Sequence, residues 1–198
     1  MSDAEADGDW EVWWDARTAA LEAVLGKSDD LVGHSIVPFD FGVEAGGAAD
    51  VLYFRNHLAG VVTVTAQLIG DDDQIPNDQG NYELMICERN DDDHWGASFI
   101  SRLAQYTLEA RLNPGETMDV GPALPEGSTL SAMLFLDYAR FNVLGRDCGL
   151  LLCLGITADE LAACRQGRTA EVEAALKASA VYPFTDQDRK SVVGPDQG

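Results

Sequence analysis

One junction in the sequence constrains the fold more than any other: the stretch Leu150-Leu151-Leu152-Cys153-Leu154-Gly155-Ile156 running into Thr157-Ala158-Asp159-Glu160-Leu161. An unbroken apolar run of this length offers no polar face to water, so it reads as a central strand. It stops at a capping box. The Thr157 hydroxyl is placed to accept from the Glu160 amide, the Glu160 carboxylate to reach back, and Ile156 and Leu161 to close the hydrophobic staple around them. A central strand feeding a capped helix, with the further strands and helices read below, fits one continuous α+β unit. The chain has 198 residues, 46% of them apolar, enough for one compact domain with a real core.

The rest of the chain is read outward from that junction. Residues 1–9 form an expected disordered acidic start, and a helix follows over 10–26. Trp10, Trp14, Leu21 and Leu25 recur at helical spacing there, Asp9 stands at the cap position and Gly26 ends the helix. Trp10 and Trp14 are expected to pack inward and Trp13 to face out. Residues 34–41 read as a short extended piece and Gly46-Gly47 as a turn. Asp50–Arg55 and Gly60–Ile69 read as a hairpin. The alternation of Val62, Val64 and Ala66 with Thr63, Thr65 and Gln67 suggests one covered face. A polar loop over 71–80 leads into a strand at Tyr82–Cys87. A helix is expected from Trp95 to Arg111, stopped by Asn113-Pro114-Gly115, then a loop over 116–129 and a strand at Leu130–Leu136. After the capped helix, which ends at Gly167, come a helix at Thr169–Ala178 and an extended segment at Val181–Phe184. The main unit is placed at 27–192 and a tail at 193–198.

Charge narrows the function. The formal net charge is −21, and residues 1–100 carry 21 acidic and 4 basic residues. Phosphate would repel such a surface, so neither nucleic acid nor an anionic membrane is an expected partner, whereas a basic protein is. No apolar stretch is long enough to span a bilayer, and the acidic start lacks the basic-then-apolar pattern of a secretory signal; the expected location is cytoplasmic. A salt-adapted source would produce the same acid excess. The four cysteines contain no C-x-x-C pair and read as free, buried thiols.

No catalytic constellation stands out. The three histidines, His34, His57 and His94, have no histidine partner three or four residues away. Asp91-Asp92-Asp93-His94 offers metal-ligand chemistry, but adjacent residues point in different directions. Asp71-Asp72-Asp73 fails as a calcium loop because Ile75 and Pro76 fall where a ligand and a glycine are required. Gly127-Ser128-Thr129 lacks the second glycine of a nucleophile elbow, and no phosphate-cradling glycine loop occurs. No catalytic residue, metal or cofactor is therefore expected.

Several segments, in order, resemble the suppressor of fused family. Gly80-Asn81-Tyr82-Glu83-Leu84 resembles its G-[FY]-E-L strand, and Trp95 with Leu103-Ala104-Gln105-Tyr106 its Trp and L-A-x-Y helix. Residues 151–161 resemble its strand–glycine–turn–helix signature, and Val181 to Lys190 its closing segment. Asp50–Phe54 followed by Val61–Thr65 is similar to the first strand pair of bacterial members. The hairpin at His57-Leu58-Ala59 departs from the family pattern. The resemblance implies a compact α+β domain, a mixed β-sheet core with packed helices, that is non-enzymatic and works by binding another protein. In bacteria that role is expected to be immunity, neutralising a toxin by occlusion. In animals it is capture of an extended peptide as an added strand. The acidic runs Asp71, Asp72, Asp73 and Asp91, Asp92, Asp93 flank the family-like strand and are the expected partner-binding residues, forming one patch if both loops project from the same part of the sheet. Two alternatives remain open: a regulatory scaffold that captures a peptide by strand addition, and a metal-dependent enzyme built on His94 and nearby aspartates.

Overall fold

The computed structural model describes residues 3–89 and 94–194, with the backbone alone over residues 3–9. Seven strands form one mixed sheet: β1 (Val32–Gly33), β2 (Val51–Phe54), β3 (Val61–Thr65), β4 (Asn81–Glu88), β5 (Thr117–Asp119), β6 (Leu130–Val143) and β7 (Arg146–Thr157). Their spatial order is β1-β2-β3-β4-β7-β6-β5. The β4–β7 pair is parallel, and every other pair is antiparallel. The helices are α1 (Asp3–Leu25), α2 (Trp95–Tyr106), α3 (Ala158–Arg165) and α4 (Thr169–Ala178). This is the expected α+β class.

Both faces of the sheet are covered. On one, Leu52, Phe54, Val62, Val64, Met85 and Cys87 pack under α1 (Leu21, Leu25), α3 (Leu161) and α4 (Val172, Leu176). On the other, Tyr53, Val61, Tyr82, Leu84, Ile86 and Cys153 pack under Phe99, Ile100 and Leu103 of α2. The valine–threonine alternation of β3 therefore marks two buried faces, since Thr63 and Thr65 are themselves buried. The expected single covered face is corrected on this point.

The capping box holds as read. The Thr157 hydroxyl accepts from the Glu160 amide at 3.5 Å, and the Thr157 amide donates to Glu160 Oε2 at 2.8 Å. Other boundaries differ for identifiable reasons. α1 begins at Asp3 and not at Trp10, so Asp9 lies within it; carboxylates in the first turns of a helix suit its dipole. Residues 34–41 are not a strand. Asp50 accepts from His34 Nδ1 (2.8 Å) and from the Ser35 amide (3.1 Å), drawing the chain away from the sheet into a 3-10 turn at Phe39–Phe41. α2 ends at Tyr106, because the Thr107 hydroxyl bonds back to the Ala104 carbonyl (2.7 Å) and the Thr107 carbonyl accepts from Ile75 (3.0 Å). β6 runs on to Val143 and turns into β7 through Leu144-Gly145, both at positive φ. β5 lies inside the expected 116–129 loop. Val181–Phe184 is not a strand; the Thr185 that follows it lies between the diverging ends of β4 and β7. Its amide donates to Cys87 O (2.7 Å), and its hydroxyl accepts from Gly155 N (2.9 Å).

All four cysteines are free and buried. Trp14 packs against the core as expected, whereas Trp13 and Trp10 reverse the expected facing. Trp13 lies flat on Gly70, whose φ is +102° and where an added Cβ would fall 2.9 Å from the indole. Trp10 faces outward and stacks on Trp14 at 5.4 Å between ring centres.

Candidate protein-binding face

α2 buries Phe99, Ile100, Leu103 and Ala104 and turns Ser98, Arg102 and Tyr106 away from the core. Its start is tightly built: Gly96 lies against the buried Glu88 carboxylate, where no Cβ would fit. Trp95 stacks on Phe99 (5.1 Å) and donates its indole N–H to the Ala123 carbonyl at 2.9 Å.

Concavities flank this helix on both sides. One, of about 340 Å³, lies between α2 (Ser98, Ser101, Arg102) and the 33–37 segment, with Val51 and Tyr53 beneath. The other, of about 540 Å³, lies between Trp95, Phe99 and Tyr106 on one wall and Met118, Val120 and Pro122 on the other. A smaller cleft joins Val43 to Arg102 and Tyr106. Exposed apolar side chains line them: Ile36 (100% accessible), Val43 (60%) and Tyr106 (43%). Arg102 lines all three concavities and forms no hydrogen bond or ion pair among the described residues. Grouped apolar exposure with Trp, Tyr and Arg is the composition of protein-interface hot spots. The end strands of the sheet bound this face, β1 contributing Gly33 to the first concavity and β5 Met118 and Asp119 to the second.

Of the expected acidic residues, Asp71, Asp72 and Asp73 line none of these three concavities. Asp71 is half-buried, Asp72 and Asp73 are exposed, and Asp72 pairs with Arg146 at 2.8 Å, beside the start of β4. Burial, with the charges of Asp73, Asp40 and Asp72, holds the Asp71 carboxyl above its ordinary value. Asp91, Asp92 and Asp93 lie outside the described residues. The residues bracketing them, Arg89 and His94, follow the far end of β4, a strand of eight residues, about 23 Å of chain. The two runs attach to opposite ends of that strand. Among the described residues no three His, Cys, Asp or Glu side chains come together as a metal site.

The buried ionisable groups hold the fold together. Glu83, fully buried, accepts from the Leu68 and Ile69 amides (2.9 Å each) and from the Thr65 hydroxyl (2.6 Å); Arg17 of α1 lies 3.6 Å away and bonds the Ile69 carbonyl at 2.8 Å. Burial pushes the Glu83 carboxyl up to about 7 despite Arg17 and those donors. Burial likewise pushes the Cys87 and Cys153 thiols up, and Cys148 to about 11, which removes the thiolate that nucleophilic chemistry requires.

The family model described as suppressor of fused protein (SUFU) matches residues 54–190, more than half of the chain. The chain belongs to the suppressor of fused family. Its fold is similar to that of the chain solved in the Sufu–Fu complex (TM-score 0.70, 13% identity, covering 91% of this chain and 92% of that one). It is also similar to a protein described as a SUFU homolog from Neisseria gonorrhoeae FA 1090 (TM-score 0.63, 17% identity, covering 92% and 97%). At these identities the likeness is one of fold. No curated protein sequence matches the chain.

The suppressor of fused match divides the candidate face. α2, β5 and the groove between them fall inside it, whereas α1 and the exposed Ile36 and Val43 fall outside. Sequence reasoning missed these residues because no local pattern marks them. Residues 34–41 read as a short extended piece, and only the fold sets Ile36 and Val43 beside Arg102 and Tyr106.

Proposed function

We propose that this suppressor of fused domain is a non-enzymatic binding protein that holds a protein partner on the α2 face. The observation that carries the reading is the convergence of three concavities on Arg102, lined by exposed Ile36, Val43 and Tyr106. The Sufu–Fu complex, in which a protein of the same fold was solved with its partner, supports it. The partner class follows from charge. A net charge of −21 steers basic proteins, and the finer reading is a cytoplasmic immunity protein that covers a basic toxin domain, with Asp71, Asp72, Asp73, Asp91, Asp92 and Asp93 contributing to attraction. The test first asks whether a toxin-domain gene neighbours this one and then co-expresses the two. Growth rescue by the wild type, lost in a folded Tyr106→Glu variant, is expected. No rescue, together with no complex on gel filtration at low salt, refutes the proposal.

A second reading is favoured by β5, an end strand of three residues that pairs only with β6 and borders the larger groove. An extended peptide adding to β5 would place alternate side chains along that groove. A structure of the complex with no backbone bonds to Thr117 or Asp119 dismisses it.

A further inference from the structure

A further cavity, of about 370 Å³, lies where the start of α1 crosses the chain leading into β4. Two kinds of chemistry meet in it. Trp10 and Trp13, three residues apart on one helical face, present indoles, and Asp40, Asp71 and Asp72 present carboxylates; the buried Arg17 also lines the cavity, its charge matched by the Glu83 carboxylate 3.6 Å away. The indoles are held in place. Trp13 rests on the Gly70 backbone, and Trp10, although 55% accessible, is stacked on Trp14, which carries the Arg17 guanidinium 5.3 Å from its ring centre. The carboxylates are unevenly matched. Asp72 is paired with Arg146, whereas Asp40 and Asp71 have no cationic partner among the described residues.

The molecule already shows how such walls receive a cation. The Arg146 guanidinium sits 4.9 Å from the Trp13 ring centre while its Nη1 bonds Asp72 Oδ1 at 2.8 Å. An indole face on one side and a carboxylate on the other is the arrangement that binds a guanidinium or ammonium group best. Trp10 with Asp40 and Asp71 offers the same pairing toward solvent. We infer that this cavity takes the charged end of a lysine or arginine side chain of a basic protein partner, its alkyl stem lying along Trp10. The inference rests on the proposed function and adds a second point of attachment. The 3-10 turn Phe39–Phe41 connects the two: Asp40 lines the cavity, and the Phe39 carbonyl accepts from Gln105 Nε2 of α2 at 2.6 Å.

The test is a titration of the full-length chain with N-acetyl-L-arginine amide, read from the indole N–H resonances of the four tryptophans, with N-acetyl-norleucine amide as the uncharged control. Saturable shifts at Trp10 and Trp13 are expected. Trp95 should stay unmoved, and the norleucine amide should give no saturation. Binding should be roughly tenfold weaker in the Asp40→Asn/Asp71→Asn double variant and weaker again in high salt. Absence of saturation, equal binding by the double variant, or equal shifts at all four indoles overturns it. A protein partner that binds wild type and double variant equally refutes the cavity and leaves the proposed function standing. A saturable titration alongside failed growth rescue does the reverse.

Discussion

Replacing Arg189 by methionine tests the account of how the chain's last segment is held. Glu160 is fully buried and Arg189 nearly so. Oε1 of Glu160 accepts from Arg189 Nη1 at 2.7 Å and from the Val192 amide at 2.9 Å; Oε2 accepts from Arg189 Nη2 at 2.5 Å and from the Thr157 amide at 2.8 Å. Arg189 Nη2 also bonds the Gly155 carbonyl at 2.8 Å. Methionine keeps the stem and deletes the charge, stranding a buried carboxylate on two amides. Breaking a buried pair in this way costs about 3–5 kcal/mol. In a domain of this size that lowers Tm by roughly 6–20 °C. The sign with pH is fixed by Glu160. Burial raises its carboxyl, but the bonds from Arg189, Val192 and Thr157 outweigh burial and hold it below its ordinary value. The contribution of the pair is thus present above the unfolded carboxyl pKa and lost as pH falls through the folded one. Without Arg189 the carboxyl takes up a proton more readily, so the gap between wild type and variant should narrow between pH 7 and pH 4.5. The Arg189→Met/Glu160→Gln double variant, with no buried charge left, should regain most of the loss. Thermal and urea unfolding across that pH range measure all three. A loss below about 1 kcal/mol, or a gap indifferent to pH, refutes the reasoning.

The remaining expectations concern other points of the fold. Because burial raises the Glu83 carboxyl to about 7, its contribution is full below the unfolded value and lost as pH rises through 7; Glu83→Gln should flatten the fall in stability between pH 5 and 7.5, on the order of 3 kcal/mol, read by urea unfolding. Thr185→Val strands the Gly155 amide between β4 and β7 and should cost about 1–3 kcal/mol by the same measurement, with the fold retained by circular dichroism. Gly70→Ala should shift the Trp13 indole resonance, since the ring lies where the methyl would go, and should lower Tm by several degrees. Arg102→Glu, exposed and without a partner among the described residues, should leave Tm within about 2 °C while weakening partner binding at least tenfold by calorimetry.

What the sequence disclosed was what neighbouring residues decide. The capping box at Thr157, the helix at Thr169–Ala178 and the β2–β3 hairpin rest on contacts within a few residues, and each formed where expected. Bonds between distant residues displaced the others. Asp50 drew His34 and Ser35 out of extended form, and the Phe135 carbonyl and amide, bonded to Gly115 and Glu116, turned part of an expected loop into the approach to β5. β6 was cut short in the reading because Asp137, Arg140 and Asn142 face water and its turn is Leu-Gly, without the usual Asn-Gly signal. The candidate face was illegible for a different reason. Its apolar rim comes from residues 36–43 and its helix from 95–106, and nothing in either segment refers to the other. The acidic runs were conspicuous as sequence; they attach to opposite ends of β4, and Asp91, Asp92 and Asp93 lie outside the described residues.

The parallel seam between β4 and β7 sets the order in which this molecule can assemble. β1 to β4 form an antiparallel meander complete in itself, as do β5 to β7, and among the described residues the only strand pairing between the two halves is the seam. During synthesis the first half therefore emerges with β4 as a bare edge, apolar on both faces, and must wait for everything from Arg89 to Gly145 before its partner exists. A wait of that kind slows folding and invites association through the open edge. The ribosome, and not the finished fold, is where this protein is most exposed to aggregation, and a chain truncated just before β7 should be the form that chaperones hold longest.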